Sequence, residues 1–261
     1  MPMLEAILAA TRATLPGLRS RIRELEAAAL RRPAPADFAS ALRGVRVGVI
    51  AEVKRRSPSI GPINEALDPG ALAQAYERGG AVAVSVLTEG SHFGGAIGDL
   101  EGVVAGVSCP VLQKDFILEE VQLLRARASG ASAVLLIARA LDDLALRRLA
   151  KFASDLRLAT LVETHDPEEL DRALEMGAGI IGVNARNLDT FAIDTAAAWE
   201  LLCRVPADRL AVAESGMATE ADVMTAAAAG ADAVLVGTAL ASAGEPTAAV
   251  ATLAGVARVG R

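Results

Sequence analysis

Short, uniformly apolar runs recur along the chain about every 50 residues, the signature of a repeated structural unit. Gly80-Ala-Val-Ala-Val, Gly130-Ala-Ser-Ala-Val, Gly177-Ala-Gly-Ile-Ile and Gly230-Ala-Asp-Ala-Val each open with a glycine suited to end a helix and continue as a strand. Between them lie Val47 to Lys54, Pro110 to Lys114, Ala159 to Glu163 and Leu210 to Glu214, which makes eight strands. Helical spacing follows each strand, and several helices open on a capping residue: Asp68 before Pro69, Asp166 before Pro167, Thr219 before Glu220. Strands this short and apolar are buried on both faces, the pattern of a parallel sheet with helical crossovers. Eight such units predict an α/β protein, a (β/α)8 TIM barrel, and no GxGxxG follows the first strand to favour a dinucleotide-binding sheet.

Ahead of the first strand, Leu4, Ile7 and Leu8, then Ile22, Leu25 and Ala29, are spaced for two amphipathic helical pieces broken at Pro16-Gly17. Residues 1–45 are expected to form an N-terminal helical cap, joined through Pro33-Ala-Pro35 to the barrel, with residues 1–261 a single barrel domain. The 261 residues are 52% hydrophobic and 22% charged, which excludes a disordered or fibrous chain. A net charge of −6 gives no electrostatic footprint for nucleic acid or an anionic membrane. Cys109 and Cys203 lie far apart without metal-ligand spacing and read as two reduced, buried thiols of a cytoplasmic protein, with no disulfide and no metal site. Neither a signal peptide nor a run of transmembrane length is expected.

In such a barrel the chemistry sits at the carboxyl ends of the strands. The odd strands end in Glu52 and Lys54, in Lys114, in Glu163, and in Glu214 with Ser215. The even strands stay mostly apolar until Asn184 and the Gly237-Thr238 pair. Glu52 and Lys54 are two apart, so both point to one side and each keeps the other ionised. A self-neutralising salt-bridge network is the alternative, but burying this many ions costs several kcal/mol each before pairing, and apolar residues do that structural work as well. A cleft of paired acids and bases follows. Ser215-Gly216 and Gly237-Thr238, after the seventh and eighth strands, suit the usual phosphate position of these barrels. The expected partner is therefore a small phosphorylated molecule carrying a group that needs acid–base work. His92 and His165 read as solvated surface residues, and Trp199 and Tyr76 as packing residues.

With these residues in place the chain resembles the indole-3-glycerol phosphate synthase family over essentially its whole length. The resemblance rests on Ile50-Ala-Glu52-Val-Lys54-Arg-Arg-Ser57-Pro58-Ser59 with Gly61 and Ile63, then Ser85-Val-Leu-Thr-Glu89 and Lys114-Asp115-Phe116-Ile117. It continues through Val162-Glu163, Gly182-Val-Asn184-Ala-Arg186-Asn187-Leu188, Ala213-Glu214-Ser215-Gly216 and Val236-Gly237. It implies ring closure, decarboxylation and dehydration of 1-(2-carboxyphenylamino)-1-deoxyribulose 5-phosphate to indole-3-glycerol phosphate, in tryptophan biosynthesis, without a cofactor.

By the family pattern Lys114 is the general acid for the ketone oxygen and Glu52 orients it, while Glu163 acts in the later proton removal and dehydration. Lys54 serves either as partner acid or as an anchor for substrate carboxylate and phosphate. Asn184 and Arg186 match the substrate-contacting pair, Ser57 helps hold the carboxylate end, and Phe93, Phe116 and Leu135 form the wall for the aromatic ring. Phosphate falls to Ser215, Gly216, Gly237 and Thr238, with Glu214 behind them. Ala96, Ala185 and Thr238 depart from the common pattern and bear on substrate affinity. A Schiff-base aldolase on a sugar phosphate is the competing enzymatic reading. Glu163 and Asn184 argue against it, and Glu52 stands where a sister isomerase would carry its catalytic cysteine. A catalytically inactive binding copy would have lost Lys114, Glu163 or Glu52. The oligomeric expectation is a monomer or weak homodimer.

Overall fold

A computed structural model describes residues 2–58, 61–63 and 67–260. The strands in chain order are β1 (Gly48–Val53), β2 (Arg56–Ser57), β3 (Gly61–Pro62), β4 (Ala83–Leu87), β5 (Val111–Lys114), β6 (Ala133–Ile137), β7 (Ala159–Thr164), β8 (Ile180–Asn184), β9 (Leu210–Glu214) and β10 (Ala233–Val236). All except β2 and β3 close into a parallel barrel in the order β1-β10-β9-β8-β7-β6-β5-β4. This is the (β/α)8 architecture that the repeated apolar runs predict. Among the described residues no helix is long and apolar enough to cross a membrane.

Strand alternation divides each barrel strand between two cores. Val49, Ala51 and Val53 of β1 join the outer cluster beneath the helices, whereas Ile50 joins the inner cluster with Leu112, Leu161, Val212 and Leu235. The enclosing helices are α4 (Pro69–Arg78), α5 (Ile97–Gly106), α6 (Glu120–Ala128), α7 (Asp143–Asp155), α8 (Pro167–Glu175), α9 (Thr195–Leu202), α10 (Glu220–Ala228), the short α11 (Thr238–Ala241) and α12 (Pro246–Leu253), after α1 (Met3–Arg19), α2 (Ile22–Arg31) and α3 (Phe38–Ala41). The expected caps are in place: Asp68 accepts from the N–H groups of Gly70 and Ala71, Asp166 from Glu169, and Thr219 from Asp222.

The four repeat glycines, Gly80, Gly130, Gly177 and Gly230, all have positive φ, between 82° and 100°. Each lets the chain reverse from helix to strand: Gly130 N–H donates to the Arg127 carbonyl and Ala131 N–H to that of Ala126, and the same pair of bonds recurs at the other three. At the equivalent turn after α7 the position is held by Arg157, at φ 61°. A non-glycine residue there is strained by about 1 kcal/mol. Arg157→Gly is therefore expected to raise the melting temperature by about 2 °C, as read by calorimetry.

Two expectations need correction. The N-terminal helix does not break at Pro16-Gly17; α1 runs through Pro16 to Arg19. Leu15 and Leu18, on either side of the proline, are buried in a cluster with Leu25, Ala29, Val121 and Leu124, and that packing outweighs the lost N–H bond. After β1, β2 and β3 pair antiparallel, Arg56 with Pro62 and Ser57 with Gly61. Ser59 lies outside the described residues. The two thiols are not both buried: Cys203, at the C-cap of α9, is exposed and Cys109 is half-buried. Burial and the neighbouring Glu77 carboxylate push the Cys109 thiol up to about 12.

Candidate active site at the carboxyl ends of the strands

The inward positions nearest the carboxyl ends of β1, β5, β7 and β9 are Glu52, Lys114, Glu163 and Glu214. In the barrel order these are alternate strands, so the four side chains form one layer of the kind that fills such barrels. Elsewhere these layers are apolar, with Ile50, Leu112, Leu161 and Val212 in the inner cluster. Ionisable residues in this layer place charge at the floor of a cavity of about 420 Å³.

β8 supplies the space for Glu214. A Cβ at Gly182, level with Glu163 in the neighbouring strand, would collide with the Glu214 carboxylate. Gly237 does the same for β1: a Cβ there would strike the Glu52 carboxylate and come within 2.9 Å of Lys54 Nζ. A glycine inside or just after a strand marks such a close approach.

Glu52 ties two lysines together, with Lys54 Nζ 2.9 Å from Oε1 and Lys114 Nζ 3.7 Å from Oε2. Burial opposes its ionisation, but Lys54 and Lys114 outweigh it and hold the carboxyl below its usual range. Lys114 is also opposed by burial, and Glu52, Glu163 and Glu214 together push it above the ordinary lysine range. For Glu163, burial is outweighed by His165, Lys114 and the Asn184 amide, which hold the carboxyl well below its usual range. Glu214 goes the opposite way, because burial and the charge of Glu163 raise it well above an ordinary carboxylate. Two carboxyls in one layer are thus pushed in opposite directions, Glu163 toward the ionised form and Glu214 toward the neutral one. Neither has a fully formed hydrogen bond, so four carboxyl oxygens are buried at this floor without a formed partner.

His165 corrects another sequence expectation. Rather than being solvated, its side chain is 5% exposed, with Nε2 3.3 Å from Glu163 and Nδ1 3.0 Å from Glu169. Burial works against the imidazolium, but the two carboxylates raise the ring from 6.5 to about 9. A raised folded-state value contributes stability that is complete below the unfolded value and is lost as pH climbs through the folded one. The melting temperature is accordingly expected to fall between pH 6.5 and pH 9, and His165→Asn should remove that part of the slope in a thermal denaturation series.

Every site residue expected from sequence lines this cavity: Glu52, Lys54, Ser57, Phe93, Lys114, Phe116, Leu135, Glu163, Asn184, Arg186, Glu214, Ser215, Gly216, Gly237 and Thr238. Phe93 and Phe116 form the aromatic wall, with ring centroids 6.2 Å apart. Glu89 fixes the Phe93 loop by accepting from the N–H groups of Ser91, His92 and Phe93. Asn184 Oδ1 accepts from the Arg186 N–H at 3.0 Å, turning the chain so that Arg186 faces the cavity. Lys54 Nζ donates to Thr238 Oγ1 at 3.2 Å, which joins the first strand to the last turn. Ser215 has φ 67° and Gly216 φ 79°, and left-handed strain at a non-glycine residue is concentrated at functional turns. Leu188, Phe191, Ile193 and Met217 also line the cavity and were not picked out as lining residues from sequence. Among the described residues no cluster of side chains suited to hold a metal ion is found.

Fold and site together define a (β/α)8 barrel enzyme of the acid–base type, with anionic and cationic side chains held ionised beside an aromatic wall. The indole-3-glycerol phosphate synthase family model matches residues 4–253, and the chain belongs to that family. It is 47% identical over 253 residues to the indole-3-glycerol phosphate synthase of Mycolicibacterium gilvum, covering 96% of this chain and 93% of that one. The corresponding protein of Micrococcus luteus is 50% identical over 232 residues, or 87% of this chain and 85% of its own. Among solved structures, thiamine phosphate pyrophosphorylase from Pyrococcus furiosus superimposes with a TM-score of 0.60 at 16% identity, covering 80% of this chain and 94% of its own, a likeness of fold alone.

Proposed function

We propose that the cavity converts 1-(2-carboxyphenylamino)-1-deoxyribulose 5-phosphate into indole-3-glycerol phosphate, CO₂ and water. The observation that carries this reading is the layer of Glu52, Lys114, Glu163 and Glu214, in which opposite charges hold an ammonium and a carboxylate ionised on one floor. The ring carbon bearing the carboxylate attacks the ketone carbon. The carbonyl π pair moves to oxygen and takes a proton from Lys114. The developing alkoxide is a far stronger base than an amine, so even an ammonium of raised pKa can serve. The carboxylate leaves as CO₂, and its electron pair restores the aromatic ring. The hydroxyl then departs as water with a second proton, and Glu163 accepts the proton from the adjacent carbon. The net uptake of one proton cancels the charge of the lost carboxylate.

Lys54 and Glu214, whose raised carboxyl favours the neutral acid, are the remaining groups able to donate to the leaving hydroxyl. The Thr238 contact of Lys54 favours the second role, anchoring phosphate with Ser215, Gly216 and Gly237. Arg186 suits the substrate carboxylate because its fork donates two parallel bonds, with Ser57 beside it. Phe93, Phe116 and Leu135 suit the anilino ring. Incubation of the protein with the carboxyphenylamino substrate should produce indole fluorescence and an equimolar amount of CO₂. Substrate consumption without either, or a borohydride-trapped covalent adduct, would oppose this reading.

The same reading treats the chain as one barrel domain capped by residues 1–45, supported by the inner cluster that Leu4, Ile7 and Phe38 share with barrel strands. It places the enzyme in the cytoplasm as a monomer or weak homodimer. A phosphorylated substrate does not cross membranes unaided, and a net charge of −6 disfavours polyanionic partners.

A further inference from the structure

We propose that His165, held between Glu169 and Glu163, is a positioning residue that fixes the Glu163 carboxylate over the cavity floor and gives it a positive neighbour. The inference rests on the reading of Glu163 as the proton acceptor.

Four side chains form one line. Arg139, in the turn after β6, reaches Glu169 in the first turn of α8 at 2.5 Å and Asp166 at 2.8 Å. Glu169, itself buried, accepts from the His165 backbone N–H at 2.8 Å and faces its Nδ1 at 3.0 Å. The ring then presents Nε2 to Glu163 Oε1 at 3.3 Å, off the line of a fully formed hydrogen bond. The backbone sets this up, because Glu163 and His165 are two apart at the end of β7, while His165 and Glu169 are four apart across the start of α8.

Attaching α8 to the barrel does not require a histidine. Asp166 already caps that helix by accepting from Glu169 N–H at 2.9 Å, and Arg139 bridges Glu169 to Asp166. What His165 adds is a close ionic contact inward, to a carboxylate whose oxygens have no fully formed hydrogen bond. Glu169 fixes the ring orientation and holds a proton on Nδ1, and the positive ring stabilises the ionised form of Glu163. The charged and titratable groups around the ring are Glu163 on β7, Asp166 at the N-cap of α8 and Glu169 in its first turn, Arg139 after β6, and Glu214 across the floor on β9.

The test compares wild type, His165→Gln and Glu169→Gln by kcat, KM and the pH profile of kcat, with the folded fraction of each measured by circular dichroism. His165→Gln should lower kcat about tenfold through a displaced carboxylate, leave KM within about twofold, and move the acidic limb of the profile upward by about one unit as Glu163 loses a positive neighbour. Glu169→Gln should change both quantities in the same direction and by less, and it keeps the test open should His165→Gln fold poorly. An unchanged acidic limb in folded variants, or a kcat loss that only tracks folded fraction, overturns the proposal. Glu163→Gln separates this from its premise: if that variant stays active, the reading of Glu163 fails. If it is inactive while both outer variants behave as wild type, the positioning role alone fails.

Discussion

Replacing Lys114 by alanine should lower kcat by about 10²–10⁴-fold, the range for loss of a positioned general acid, while KM changes only a few-fold. The asymmetry follows from the layout of the cavity. In the proposed reading the phosphate falls to Ser215, Gly216, Gly237, Thr238 and Lys54 and the substrate carboxylate to Arg186 and Ser57, all of which line the cavity. Lys114 stands on the cavity floor beside Glu52 and, in the proposed reaction, protonates the ketone oxygen. Its removal does not leave Glu52 alone, because Lys54 stays 2.9 Å away. Glu163, in contrast, loses one of the two cations that hold it ionised, so its carboxyl should titrate higher. Steady-state kinetics on a variant with a wild-type circular dichroism spectrum measure the effect. A kcat within about threefold of wild type would show that another group protonates the ketone.

Glu163→Gln should be comparably damaging, by about 10²–10⁴-fold in kcat. The amide has nearly the same shape, so the buried position at the end of β7 stays filled and the loss reports the missing charge. Two neighbours should respond in directions that can be checked. Glu214 is raised by burial and by repulsion from Glu163, so its carboxyl should fall toward the ordinary range. Lys114 loses one of three carboxylates that raise it, so its ammonium should become more acidic. A chemical-shift titration of carboxyl-labelled glutamates would record the first shift. No movement of Glu214 would show that the two groups are not coupled.

The barrel could be read from sequence because its units repeat and each turn announces itself: four glycines in one register proved to be four left-handed turns. The charged layer was readable for a related reason. In a strand buried on both faces an ionisable residue has no solvated position, so Glu52, Lys114, Glu163 and Glu214 had to face something that uses them. What escaped depends on contacts between distant residues. His165 follows a strand directly, where a solvated ring is the ordinary outcome, and only folding brings Arg139 to the far side of Glu169. The sequence held one partial signal, a histidine two residues from Glu163 and four from Glu169. Gly182 was another, since a glycine within an apolar strand marks close approach, although it does not say what approaches. Pro16 misled because local preference favours a break there, and the burial of Leu15 and Leu18 decided otherwise.

The most direct test uses substrate labelled at the carboxyl carbon, mixed separately with wild type and with Lys114→Ala. The wild type should release the label as CO₂ in step with formation of the indole product, and the variant should release almost none over the same period. Folded wild-type protein that binds the substrate yet neither releases label nor forms an indole would contradict the assignment of this cavity to ring closure.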